Sequence, residues 1–189
     1  MTAERAAYAE AMRALDASRL VFVDESGVVQ GMRLSYGYAA KGQRCAENAP
    51  FRVGRRTSLL GWMGPTCGEV VPAGGSVTAS VFEAFVAGSL VPRLRVGDVV
   101  VWDNARVHSA EAARLVEAAG ARVLRLPRYS PEYNAIEHFW SKLKHLVRKA
   151  RADTAEALTA ALRSASALIT PDDAQGWIRH CGYCLPDPA

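Results

Sequence analysis

Asp98-Val99-Val100-Val101-Trp102-Asp103-Asn104 is a run of four apolar residues held between two acids. Three of the four are valines, and four residues are too few for a helix, so the run reads as a buried strand over Asp98 to Trp102. Ser109 to Ala119 follows as a helix, with Ser109 as its N-cap and Gly120 as its stop. Arg122 to Leu126 is then a second strand, closed by Pro127. Strand, helix, strand in that order is the pattern of a parallel crossover.

Working outward, the upstream half lacks such alternation. Thr2 to Ala17 reads as an alanine-rich helix with Ala7, Met12 and Leu15 available for packing. Leu20 to Asp24 reads as a buried strand ending in an acid, and Leu34 to Ala39 as a second, with Tyr36 and Tyr38 on one face. Lys41-Gly42 is a turn signal. Arg56 to Met63 reads as a third strand, with Gly68 to Pro72 as a short extension of it. Thr78 to Leu94 has helical period, since Val81, Phe82, Phe85, Val86 and Leu90 share a face. Downstream, Ser130 to Ala150, Thr154 to Ile169 and Pro171 to Ile178 read as helices. The expected fold class is α/β, a mixed five-stranded sheet with helices on both faces.

The chain has 189 residues, half of them hydrophobic and 22% charged. That is a globular composition and suffices for one core, which excludes disorder and disulfide scaffolds as global readings. The formal charge of +4 permits an anionic partner without requiring one. No run approaches the roughly 18 apolar residues of a membrane span. The N-terminal stretch carries Glu4, Arg5, Glu10 and Arg13 and lacks a signal-peptide core, so the expected location is the cytoplasm. Cys181 and Cys184 form a single C-x-x-C; Cys45 and Cys67 do not supply the second pair a zinc site wants.

Three acids stand out. Asp24 and Asp103 each follow an apolar strand directly, and ligand sites of open α/β sheets lie beyond such strand ends. Glu137 lies in Tyr129-Ser130-Pro131-Glu132-Tyr133-Asn134-Ala135-Ile136-Glu137, in the first turn of a helix whose stripe is Ile136, Phe139, Trp140, Leu143 and Val147. Clustered carboxylates repel one another, and a hard divalent cation, Mg²⁺ with Mn²⁺ as substitute, is the usual reason to assemble them. Two such ions about 3.5–4 Å apart serve phosphodiester cleavage and transfer. Each acid also has a plainer reading: Asp24 and Asp103 as turn or cap residues, and Glu137 as the partner of Asn134 in a capping box. Glu25 stays a weak candidate through its adjacency to Asp24. Trp140 reads as core rather than as a platform for a base.

The segments Val21-Phe22-Val23-Asp24-Glu25-Ser26-Gly27, Val101-Trp102-Asp103-Asn104-Ala105-Arg106-Val107-His108 and Ser130 through Trp140 together resemble the catalytic domain of DDE transposases. The branch they are most similar to is the bacterial insertion-sequence group related to the Tc/mariner elements. The resemblance covers roughly residues 20–151 and implies a ribonuclease H-like fold with Asp24, Asp103 and Glu137 as catalytic, metal-holding triad. It leaves residues 1–19 as a helical lead-in and 152–189 as a helical extension packed on the same domain. It also marks Asn104, His108 and Asn134, for which supporting roles are expected ahead of direct chemistry: Asn104 binding the scissile backbone or bracing Asp103, His108 contacting a phosphate or orienting a carboxylate, and Asn134 capping the helix of Glu137. Arg125, Arg128, Lys142, Lys144 and Arg148 are candidate DNA contacts, and Arg52, Arg55 and Arg56 form a second basic cluster.

The implied activity is metal-dependent cleavage at transposon ends and joining of the 3′-hydroxyl to target DNA, at TA dinucleotides. The implied partners are DNA and further copies of the chain assembled on it, at the nucleoid. Relatives carry helix-turn-helix modules before this domain, and about twenty residues precede Asp24 here, too few for one. A separate helix-turn-helix protein or a frame-fused N-terminal half is the expected source. The rival expectations are a ribonuclease H-like nuclease without strand transfer, and an inactive remnant that only binds DNA or protein.

Overall fold

The computed structural model describes residues 3–46 and 54–185; Thr2 and Arg52 fall outside them. Five strands form one sheet: β1 (Leu20–Val29), β2 (Arg56–Met63), β3 (Gly68–Ala73), β4 (Val99–Trp102) and β5 (Arg122–Arg125). Their spatial order is β3-β2-β1-β4-β5. β1 with β2 and β2 with β3 run antiparallel, while β4 is parallel to both β1 and β5. The helices are α1 (Ala3–Arg13), α2 (Ala79–Phe85), α3 (Ala110–Ala118), α4 (Ile136–Ala150), α5 (Ala155–Ala167) and α6 (Pro171–His180). This is the expected mixed sheet.

Strand alternation sorts the core into two layers. Leu20 and Phe22 of β1 and Val99 and Val101 of β4 face one side, where they meet Ile136, Phe139, Trp140, Leu143 and Val147 of α4. Val23, Val100 and Trp102 face the other, against Phe82, Phe85, Ala112 and Val116 of α2 and α3. Each fully buried large apolar side chain contributes about 1.5–3 kcal/mol. The first layer also holds Tyr8 and Met12 of α1, Leu158 and Leu162 of α5, and Ile178 of α6. The chain ends are tied into it: the Tyr8 and Tyr183 hydroxyls lie 2.9 Å apart, and Tyr183 donates to the Tyr133 carbonyl at 2.8 Å. Among the described residues no helix is long and apolar enough to cross a membrane.

Four expectations need correction. Leu34 to Ala39 is not a strand. β1 instead runs on to Val29 and pairs there with Arg56 of β2, which takes the hairpin position. Gly31, at φ 78°, then turns the chain away, and Tyr36 and Tyr38 stand exposed with no layer to bury them. The fifth strand is β3, which pairs along β2 from Met63↔Gly68 to Ser58↔Ala73 and is a separate edge strand rather than an extension. Its Pro72 suits an edge, where a missing N–H is tolerated. The helix from Thr78 is regular only over α2; Val86–Leu90 widens to a π turn and Val91–Arg93 tightens to a 3₁₀ turn. Pro92, lacking an N–H, cannot continue an α-helix there. Finally, the helix expected from Ser130 is a 3₁₀ turn over Pro131–Tyr133, then an extended Asn134 (φ −100°, ψ 91°), then α4.

Candidate active site

β1 and β4 share a ladder that ends at Phe22↔Val101. Asp24 and Asp103 are each two residues further on, so the parallel register sets them side by side. Asp24 does not end its strand, as the sequence suggested; it stands where β1 loses its parallel neighbour and keeps only β2. Beyond this point the sheet opens into a cleft of about 430 Å³, lined by Asp24, Asp103 and Glu137 together with Asn104, Asn134 and the segment from Leu126 to Pro131. Glu137 reaches it from the first turn of α4. Its side chain is exposed on the cleft wall, on the side of the strand ends.

Burial pushes the Asp24 carboxyl up to about 7, and the neighbouring Glu137 carboxylate, with Glu25 and Asp103, adds to the effect. Its Oδ2 accepts the indole N–H of Trp140 at 3.2 Å. Asp103 is held the opposite way. Its Oδ1 lies 3.0 Å from His108 Nδ1 and accepts the Ala105 amide at 2.8 Å. The His108 contact keeps its pKa below the usual carboxylate range, against the opposing effect of burial.

His108 is buried, its ring 4.4 Å from Phe82 and 5.4 Å from Trp102 between centroids. Its Nε2 lies 3.2 Å from Glu25 Oε1, an ion pair without hydrogen-bond alignment. Burial alone would lower the imidazole pKa; Asp103 and Glu25 outweigh it and raise it to about 9. His108 is therefore an imidazolium at neutral pH, clamped between two carboxylates. Arg125 donates to the carbonyl of His108 at 2.9 Å and approaches that of Asp103 at 3.4 Å, so its guanidinium braces this loop. Asn104 donates from Nδ2 to the Leu126 carbonyl at 2.7 Å and ties the end of β4 to that of β5.

Asn134 is not the cap of α4. Ala135 holds that position, and only the Asn134 backbone carbonyl takes part, accepting the Glu137 amide at 3.1 Å. The extended backbone at Asn134 leaves its side chain buried at the cleft wall, with Oδ1 unpartnered. The basic candidates divide. Arg128 lines the cleft. Lys142 is paired with Asp173 of α6. Arg148 lines a smaller hollow, with Leu34, Lys149 and Arg151, that shares no residue with the cleft. Lys144 is half-buried on α4 and lines neither. Among the described residues, no three His, Cys, Asp or Glu side chains close into a chelating group; the three acids line one space without closing on a common point.

Sequence reasoning passed over Trp140 as a partner of Asp24 and kept Glu25 only as a weak candidate, for its adjacency to Asp24 rather than for a contact with His108. A signal existed for Trp140: three residues after Glu137 on a helix, it shares that residue's face. None existed for Glu25, whose partner is 83 positions away in the chain.

A family profile described as DDE superfamily endonuclease matches residues 19–159, which contain all three acids. The chain belongs to that superfamily. The DDE domain is also similar in fold to solved Mos1 transposase structures. One is a paired-end complex with the left transposon end, 24% identical with a TM-score of 0.67, covering 87% of this chain and 52% of that one. Another is a mariner paired-end complex with Mn, 23% identical with a TM-score of 0.69, covering 94% and 58%. The isolated Mos1 catalytic domain is 19% identical with a TM-score of 0.60, covering 87% and 78%. The DDE domain thus spans little more than half the length of the transposase chains in those complexes. No curated protein matches it.

Proposed function

We propose that this DDE domain is the catalytic part of a transposase, a metal-dependent DNA endonuclease and strand transferase. The observation that carries the reading is the register of β1 against β4, which brings Asp24 and Asp103 side by side at the cleft that Glu137 faces. The donors fit a hard divalent cation. All are oxygens, repulsion and burial at Asp24 are what such a charge relieves, and the unpartnered Oδ1 of Asn134 adds a neutral acceptor. Mos1 catalytic-domain structures holding Mg or Mn together with raltegravir support the same choice.

When bound by Asp24, Asp103 and Glu137, Mg²⁺ or Mn²⁺ supplies an activated oxygen nucleophile and neutralises charge at the scissile phosphodiester. The protein's own residues do the holding. His108 keeps Asp103 ionised and in one orientation, Asn104 and Arg125 fix the loop that carries it, and Arg128 offers a cation to the DNA backbone at the cleft. Lys144 and Arg148 extend the basic surface along α4, which makes DNA affinity fall with salt. Recognition of transposon ends falls to a helix-turn-helix half or partner, and the active form is an assembly on DNA.

Asp103→Asn tests this. Cleavage of a transposon-end duplex in Mn²⁺ is expected to be lost while DNA affinity falls little. A variant that cleaves like the parent overturns the proposal.

A further inference from the structure

The cross-strand partner of Asp24 on β2 is Gly61. A methyl group placed there would lie 2.5 Å from Trp140 Cη2 and 2.9 Å from its Cζ2. Those are separations that real Cβ atoms do not show, and the ring has nowhere to retreat, being 1% exposed in the core. The missing side chain is therefore the space in which the indole lies, and the same ring directs its N–H onto Asp24 Oδ2 at 3.2 Å. Glu137 and Trp140 are i and i+3 on α4, so one helix face brings both groups to Asp24.

We propose that Trp140 is a positioning residue for Asp24, and that Gly61 is the gap in β2 that makes the contact possible. The indole N–H engages one carboxylate oxygen and fixes the plane of the group. The other oxygen is left to face the cleft. A buried indole N–H needs an acceptor, and the one it takes here is an acid of the cleft; a β-branched residue at Gly61 would suit the strand better. The inference rests on the reading of Asp24 as a metal-holding acid.

Two measurements test it. The chain has four tryptophans and so four indole N–H resonances; Trp140→Phe identifies the relevant one by its loss. In metal-free protein that resonance is expected to move in Asp24→Ala while the other three hold. Trp140→Phe keeps most of the ring volume and removes the donor. Its Mn²⁺ affinity, read by electron paramagnetic resonance, is expected to fall about 10- to 100-fold, as for other residues that orient a metal ligand. Its kcat for cleavage is expected to fall with KM for DNA unchanged. Gly61→Ala, which keeps the indole but displaces it, is expected to lose Mn²⁺ affinity likewise, and serves if Trp140→Phe does not fold. An unmoved resonance, or Mn²⁺ affinity equal to the parent's in the folded variant, overturns the inference while leaving the metal site standing. A parent that takes up no Mn²⁺ overturns the functional reading and this inference with it.

Discussion

Replacing His108 by Gln should remove most of the protein's loss of stability between neutral and alkaline pH. The His108 side chain is fully buried and pairs with Asp103 and Glu25. Its pKa stands at about 9 against an ordinary 6.5. A histidine raised in the folded state contributes stability that is complete below its unfolded pKa and is lost as pH rises through the folded one. The window is therefore pH 6.5 to 9, and the shift corresponds to about 3 kcal/mol at 1.36 kcal/mol per pH unit. For a chain of this size that is a fall in Tm of about 6–12 °C. Thermal melts of parent and variant at pH 6, 7.5 and 9.5 read it directly. The parent should lose this increment across the series, and His108→Gln should start lower at pH 6 and show a shallower profile, keeping below pH 7 only the smaller loss that Asp24 causes. Equal slopes in the two proteins would refute the idea of an imidazolium clamped between two carboxylates.

Two further outcomes are expected. Asp24 is raised from 3.8 to about 7 in the metal-free protein, so the stability it contributes is complete below pH 3.8 and is lost as pH approaches 7; Mn²⁺ should therefore raise Tm more at pH 7.5 than at pH 5.5, and an equal rise at both would count against Asp24 as a metal-holding acid. Leu143→Ala empties a fully buried position on α4 and should cost about 2–5 kcal/mol in urea unfolding; a smaller loss would mean that α4 is not anchored by its apolar stripe.

Elements were legible where their signals are local. Ser109, Thr154 and Thr170 each cap the helix expected after them, through hydrogen bonds three residues long, and Gly120 ends α3 with the positive φ its sequence position suggested. The apolar run of β4 needed no context either, because a short buried strand is marked by its own side chains. Leu34 to Ala39 failed for the complementary reason. Its alternating tyrosines satisfy a strand pattern, but pairing was decided by β2, which matches β1 over eight residues from Phe22 to Val29. Asn134 misled in the same manner: a capping box is a local pattern, and the 3₁₀ turn at Pro131–Tyr133 moved the helix start past it.

The acids show the same division. Asp24 and Asp103 could be picked from the sequence because each directly follows an apolar run, and the third motif added Glu137. What each acid experiences was decided by contacts between residues distant in the chain. Trp140 reaches Asp24 across 116 positions, and His108 joins Asp103 to Glu25, 83 positions before it in the chain. The sequence by itself picked out the three candidate acids and most of the elements that hold them, because capping, periodicity and strand burial act over a few residues. Only the tertiary structure decided that one half-buried acid is pushed toward protonation while its neighbour is held in its ionised form. Desolvation and Coulomb interaction depend on distance in space, and that distance is set by the register of β1 on β4 and by the gap at Gly61.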